Sequence, residues 1–300
     1  MVVKRTHLAG IIPLSGIEND FCLSTPPELT PINAGFTAIQ KSVYECALAG
    51  CNTIWIVANE DTAPVVRKIV GEWFYDPVYY KRMKFGENSD NRREIPIYYA
   101  PIHPKDIGRR DSYGWSVLNG VYSSWRIANK ISKWIVPQKY FISFPLSTYD
   151  IQIIRKNRKL ISHTSKNFSL CYQQQTVKDG VPLPFTMFGE DYIKCRRDVN
   201  KKTTREYYPP QEGEKYPSQK RPIHERWSAK NFLLSDVFDK LEINDTIEVP
   251  WHYDISSWQK YRDYLSSDFL IKTPNEVLTK ARKHVKIPYT NHQEGTYESD

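Results

Sequence analysis

The sequence predicts an α/β fold: a mostly parallel central sheet flanked by helices, with a long irregular insertion in its second half. Three observations carry this. Short β-branched runs alternate with longer helix-period segments over the first 150 residues; the helical segments are long enough to serve as crossovers between parallel strands; and residues 151–230 lose that regularity. The composition permits a sizeable core, with 40% hydrophobic, 13% aromatic and 25% charged residues among 300, which excludes a disordered chain.

The elements follow in order. Ile11–Leu14 is a short apolar run closed by Ser15-Gly16, as a buried strand would be. Phe36–Ala49 fits a helix, with Phe36, Ile39, Val43, Cys46 and Ala47 on one stripe and Gly50 where a C-terminal cap belongs. Thr53–Ala58 is a β-branched strand. Asp61 or Thr62 can cap a helix running from Pro64 towards Trp73, with Val65, Val66, Ile69 and Val70 inward. Ile95–Ala100 is a third strand. Ser116–Trp134 is a long helix with Val117, Val121, Trp125, Ala128 and Ile131 inward, and Tyr140–Phe144 is a fourth strand. Beyond it lie strand-like pieces and turns, then a charged, Tyr- and Pro-rich stretch from Arg196 to Arg226 that reads as an exposed excursion. Order returns with a short helix in Phe232–Leu241, a strand at Val249–Tyr253, and helices at Ser257–Leu265 and Pro274–Val285. No linker divides the chain, so one domain over residues 1–290 is expected, with the insertion at about 187–230 and a polar tail at 291–300.

Several function classes drop out. No run approaches the ~18 apolar residues that span a bilayer, and Pro13 and Gly16 interrupt the N-terminal apolar patch too early for a signal peptide. Five cysteines without CxxC spacing argue against a disulfide framework and for a reducing cytoplasm. The histidines lack zinc spacing, and no Ser or Cys sits in a nucleophile motif. The net charge of +8 permits an anionic partner. The basic run Arg155–Lys159 and the 196–226 stretch, with Tyr207, Tyr208, Tyr216 and Trp227, are compatible with nucleic acid, but the interrupting acids Glu206, Glu212, Glu214 and Glu225 favour a solvated insertion or one that docks on a protein partner.

Four segments then carry a resemblance. Ile12-Pro13-Leu14-Ser15-Gly16 with Pro26-Pro27-Glu28-Leu29-Thr30-Pro31-Ile32, Tyr113-Gly114-Trp115-Ser116-Val117-Leu118, Pro145-Leu146-Ser147 and Trp251-His252-Tyr253-Asp254 occur in the order of the sugar-1-phosphate nucleotidyltransferase motifs, across roughly residues 10 to 265. They resemble that family's strand and G-x-G-T-R loop with P-K-x-L-x-P, its G-[TH]-A-x-x-L, its metal-binding strand end and its W-x-D-x-x-T. The resemblance implies a nucleotide-diphospho-sugar transferase-like (GT-A-type) fold. It implies nucleotide or sugar contacts at Leu14, Ser15, Gly16, Gly114 and Ser116, and Mg²⁺ near Asp254, with Asp150 a substitute ligand for the metal Asp whose place Leu146 or Ser147 takes. Alternatives stand beside three of these: Asp254 as a helix cap, Gly114 as a plain turn, Asp150 as an ordinary loop acid.

The chemistry of the family departs. The second loop glycine is Glu18, the phosphate-facing Arg is Asp20, and the Lys of P-K-x-L is Pro27. Two like charges at 4 Å repel by roughly 4 kcal/mol at an effective dielectric near 20, and losing one oxyanion donor costs ~10²–10³ in rate. The expectation is a protein that binds a nucleotide, sugar phosphate or nucleotide sugar but has lost or altered nucleotidyl transfer. A non-catalytic structural or assembly protein held in a larger complex, and a glycosyltransferase acting on a polyanion such as DNA, are the alternatives.

Overall fold

The computed structural model describes residues 7–17, 20, 25–80, 92–103, 106, 112–202, 212, 232–275 and 277. Its centre is an eight-stranded sheet of β1 (Leu8–Pro13), β2 (Thr53–Ala58), β3 (Trp73–Tyr80), β4 (Arg92–Pro101), β5 (Lys139–Ile142), β7 (Phe168–Cys171), β8 (Phe185–Phe188) and β9 (Asp245–Glu248). The spatial order is β9-β7-β8-β5-β1-β2-β4-β3. The pairs β1–β2, β1–β5, β2–β4 and β7–β9 are parallel, while β3 and β8 run antiparallel to their neighbours. A separate two-stranded ribbon joins β6 (Ser147–Tyr149) to β10 (His252–Asp254).

Strand periodicity sorts the core into two layers. Leu8 and Ile12 of β1, Ile54 and Ile56 of β2, and Phe141 of β5 face one side, against α1 (Ala38–Ala49) and α2 (Ala63–Val70). Ala9 and Ile11, Trp55 and Val57, Tyr140 and Ile142 face the other, against α3 (Tyr113–Ile131), α6 (Gly189–Lys202) and α7 (Leu234–Phe238). Both faces are covered, as parallel sheets require. Two short helices, α4 (Gln152–Lys156) and α5 (Arg158–His163), and a final α8 (Trp258–Leu265) complete the described chain.

Most expected elements are present, with informative differences. The helix after Asp61 stops at Val70, where Gly71 caps it, and Trp73 begins a strand; only Val66 and Val70 are buried, whereas Val65 and Ile69 are exposed. On α3 the inward stripe holds for Val117, Val121 and Ala128 but fails for Trp125 and Ile131, which are 45% and 68% exposed; Ile131 is the last residue of the helix, whereas Trp125 stands at the margin of the stripe, with Ala128 beyond it buried. The stretch read as an exposed excursion from Arg196 begins inside α6, which buries Cys195 and Val199. The basic run at 155–159 is partly structural: Arg158 pairs with the buried Asp76 at 2.5 Å and donates to the Ala47 and Leu48 carbonyls at the end of α1. The aromatics at 207, 208, 216 and 227, the helix expected over most of 274–285 and the tail lie outside the described residues.

Candidate functional site

A cleft of about 340 Å³ opens at the C-terminal edge of β1 and β5, the edge at which open α/β sheets bind ligands. Gly16 and Ile17 after β1, Ser112 and Tyr113 at the start of α3, and Leu146 and Ser147 before and in β6 form part of its wall. Asp179, Gly180 and Pro182, Phe232–Ser235, Asp254 and Ser256 supply the rest.

The loop after β1 is fixed from three directions. Leu14 and Ser15 N–H groups both donate to the Val57 carbonyl (2.8 and 3.3 Å), Ser15 Oγ bonds Asn59 Oδ1 at 2.7 Å, and Ser116 Oγ donates to the Ser15 carbonyl at 2.7 Å. Gly16 then turns with φ +73°, so close to α3 that a Cβ there would sit 2.5 Å from the Ser112 carbonyl carbon. Only glycine fits both the left-handed conformation and that approach. Ser112 caps α3 by accepting from Trp115 N–H. The positive end of a 19-residue helix therefore opens on the cleft, a placement that favours negative ligand groups.

The opposite wall comes from the β6–β10 ribbon. Asp254 pairs with Ser147 in register, which projects both side chains from one face, and both line the cleft. Asp254 Oδ1 accepts from Ser256 N–H at 3.2 Å and Oδ2 lies 3.6 Å from Lys260 Nζ. The N-cap of α8 is Ser257, so Asp254 shapes the turn before that helix without capping it. Behind Ser147, its Oγ meets His252 Nε2 at 3.0 Å. Burial, with Lys41 and Lys260 nearby, depresses His252 to about 4, leaving a neutral ring at neutral pH.

Beneath the turn that carries Ser147 sits a group the sequence did not single out. Lys41 and Glu45 are one helical turn apart on α1, wholly buried, and paired at 3.1 Å. Lys41 Nζ also donates to the carbonyls of Phe144 (3.0 Å) and Ser147, and Ser143 Oγ donates to Glu45 at 2.5 Å. The i,i+4 spacing was visible, but as an ordinary surface pair; nothing local signalled its burial.

Of the residues singled out in advance, Gly16 and Asp254 meet in the cleft. Leu14, Ser15 and Ser116 stand behind it, holding the loop. Gly114 lies in the first turn of α3, where a Cβ would come within 2.7 Å of Val237 Cγ2; its smallness serves helix packing. Asp150 sits beyond β6 and closes a turn by accepting from Gln152 N–H; it does not line the cleft. Asp20 is tied to the turn before α8: its carboxylate accepts from Trp258 N–H at 2.5 Å and its own N–H donates to Ser256 O. Pro27 begins a short 3₁₀ turn. Glu18 lies outside the described residues.

The charged side chains of the lining are acidic, with Lys260 reaching Asp254 from behind at 3.6 Å. Asp179 and Asp254 line the cleft, and no Lys or Arg does among the described residues. Tyr113 lies on the same wall with a buried hydroxyl that has no hydrogen-bond partner; burial pushes it well above its ordinary range, and Asp254, Glu28 and Glu45 add to that. No cluster of three His, Cys, Asp or Glu side chains suited to a metal occurs among the described residues, and none of their helices is long and apolar enough to cross a membrane.

No protein-family model matches the sequence, and no curated protein matches it. Solved structures do match. A protein described as a glucose-1-phosphate thymidylyltransferase from Bacillus anthracis, in complex with a sucrose, superposes with a TM-score of 0.53 at 10% identity, covering 90% of this chain and 99% of that one. Looser likenesses are a nucleoside-diphosphate-sugar pyrophosphorylase from Vibrio cholerae (TM-score 0.48, 13% identity, 86% and 100% covered) and a UDP-glucose pyrophosphorylase complexed with UDP-glucose (0.48, 11%, 92% and 98%). What the chain shares at this identity is the fold, a nucleotidyltransferase-like α/β architecture.

Proposed function

We propose that the cleft binds the phosphorylated part of a nucleotide, sugar phosphate or nucleotide sugar, and that the family's nucleotidyl transfer is lost. The single observation that carries the binding reading is the Gly16 turn pressed against the first residues of α3 at the C-terminal sheet edge. It combines tight backbone approach with a helix N-terminus, the two features a phosphate uses.

The electrostatics require an intermediary. A bare phosphate facing Asp179 and Asp254 is repelled. Mg²⁺ is typically held by one or two carboxylates while phosphate oxygens and water complete its octahedron. Asp254 is the carboxylate placed for this, with Ser147 opposite as a neutral neighbour. When bound, Mg²⁺ would neutralise phosphate charge. This chain's own residues would orient the ligand: Ser112 and Tyr113 from α3, and Ser147, whose Oγ lies 3.0 Å from His252 Nε2. The acidic lining of the described walls supports the loss of transfer. Expelling pyrophosphate needs cations on the developing charge, and Asp20 and Pro27 stand where the resemblance would put them.

Equilibrium dialysis with nucleoside triphosphates, sugar 1-phosphates and nucleotide sugars, with and without Mg²⁺, tests this. One ligand class should bind with Mg²⁺ dependence, Asp254→Ala should remove that dependence, and pyrophosphate release should stay at background. Unchanged Mg²⁺-dependent affinity in Asp254→Ala would sink the role of Asp254, and turnover would overturn the loss of transfer.

A further inference from the structure

The opposite, N-terminal edge of the sheet carries a second and larger hollow of about 890 Å³. Its position follows from the strand register. Phe188 pairs with Lys139 at the first residue of β5, and Asn167 and Asn244 immediately precede the parallel strands β7 and β9. All but Lys139 line the hollow. It is therefore separated from the cleft by the length of the strands.

Its walls are aromatic faces held rigidly. Trp125, the α3 residue that the apolar stripe placed inward, is 45% exposed and overhangs the hollow. The Tyr122 ring lies 6.3 Å from it at an interplanar angle of 29°. The Arg196 guanidinium sits 4.8 Å over the Tyr122 ring and 5.9 Å from the Tyr192 ring, and it donates to Tyr192 Oη at 2.9 Å. This arginine is occupied in fixing two rings.

The floor is polar and incomplete. Asn167 is 4% exposed; its Nδ2 donates to Asp191 Oδ2 (2.7 Å) and to the Glu242 carbonyl (2.8 Å), while its Oδ1 has no partner. That oxygen is shut off from solvent, so the polar side chains open to a ligand are Gln138, Glu190, Glu242 and Asn244 on the lining. Charge is nearly balanced: Lys194 Nζ lies 2.7 Å from Glu242 and 3.7 Å from Asp191, and two cations, Lys194 and Arg196, share the lining with Glu190, Asp191 and Glu242.

We propose that this hollow is a binding site for a neutral saccharide, which stacks a C–H face of a sugar ring on Trp125 and hydrogen-bonds the exposed side-chain amides of Gln138 and Asn244 on the same lining. Ring faces match the apolar side of a pyranose, and amides and carboxylates match hydroxyls that donate and accept together. The volume is in the range of small-ligand sites. A lipid would leave the exposed amides of Gln138 and Asn244 unmet, and an anion would meet Glu190, Asp191 and Glu242.

The test is an array of short neutral α- and β-linked oligosaccharides of glucose, galactose, mannose and N-acetylglucosamine, followed by calorimetric titration of whichever binds. Saturable binding is expected; Trp125→Ala should weaken it about 10-fold or more while Trp125→Phe retains most of it. Asp254→Ala should leave it unchanged, which separates this site from the cleft. Sedimentation of the wild type and Trp125→Ala runs alongside. No retained oligosaccharide, binding indifferent to Trp125→Ala, or a wild-type oligomer that Trp125→Ala dissociates, meaning a second copy covers this face, would each overturn the proposal.

Discussion

Gly16 tolerates no side chain. Its φ of +73° and the 2.5 Å gap to Ser112 lead us to expect that Gly16→Ala destabilises the fold by about 2 kcal/mol or more and weakens ligand binding in the cleft, read by urea denaturation and dialysis together. His252 makes a pH signature. Its folded value of about 4 lies below the ordinary 6.5, so the unfolded chain binds the extra proton first. The stability this ring contributes is complete above about pH 6.5 and is lost as pH falls towards 4, by up to ~3 kcal/mol. His252→Gln should flatten the stability profile in that window relative to wild type; an unchanged slope would refute the assignment. Residue identities were legible only where chemistry is local. Gly16 and Asp254 could be picked out because a positive-φ turn and a lone acid in a motif leave marks in sequence. The roles of Asp20, as acceptor for the Trp258 N–H, and of Gly114, as a contact for Val237, depend on partners more than 100 residues away.

At the scale of elements, the buried Lys41–Glu45 pair ties α1 to the turn that presents Ser147. Removing one partner strands the other charge, so Lys41→Met should cost about 3–5 kcal/mol, and Lys41→Met with Glu45→Leu should recover much of it; denaturant midpoints of the single and double variants check this. The elements themselves were readable where periodicity met a clear stop: Gly50 ends α1 in the left-handed region at φ 92°, and Thr53–Ala58 is a strand with the expected bounds. Two kinds of signal misled. The apolar stripe of α3 continues to Ile131, the last residue of the helix, and periodicity alone cannot say where the partner surface ends. The antiparallel strands β3 and β8 were missed as such: Pro77 and Asp76 interrupt the first, and the second is only four residues long.

On the scale of the whole molecule, one sheet places two hollows at its two edges, and the chain order alone predicted the sheet. Strand–helix alternation before residue 150 implied parallel pairing, and that pairing puts the loops after β1 and β5 at one edge, where the cleft lies. The composition of the cleft was less legible, because Asp179 and Phe232–Ser235 reach it from the irregular second half. The central claim, that this cleft still holds a phosphorylated ligand although the family's charges are gone, is tested most directly by thermal stability against nucleoside triphosphates, sugar phosphates and nucleotide sugars, with and without Mg²⁺. A ligand at about 100 times its Kd adds about 2.7 kcal/mol. The account predicts an upward Tm shift from one phosphorylated class, larger with Mg²⁺ and abolished by Gly16→Ala; no shift from any class in either condition would contradict it.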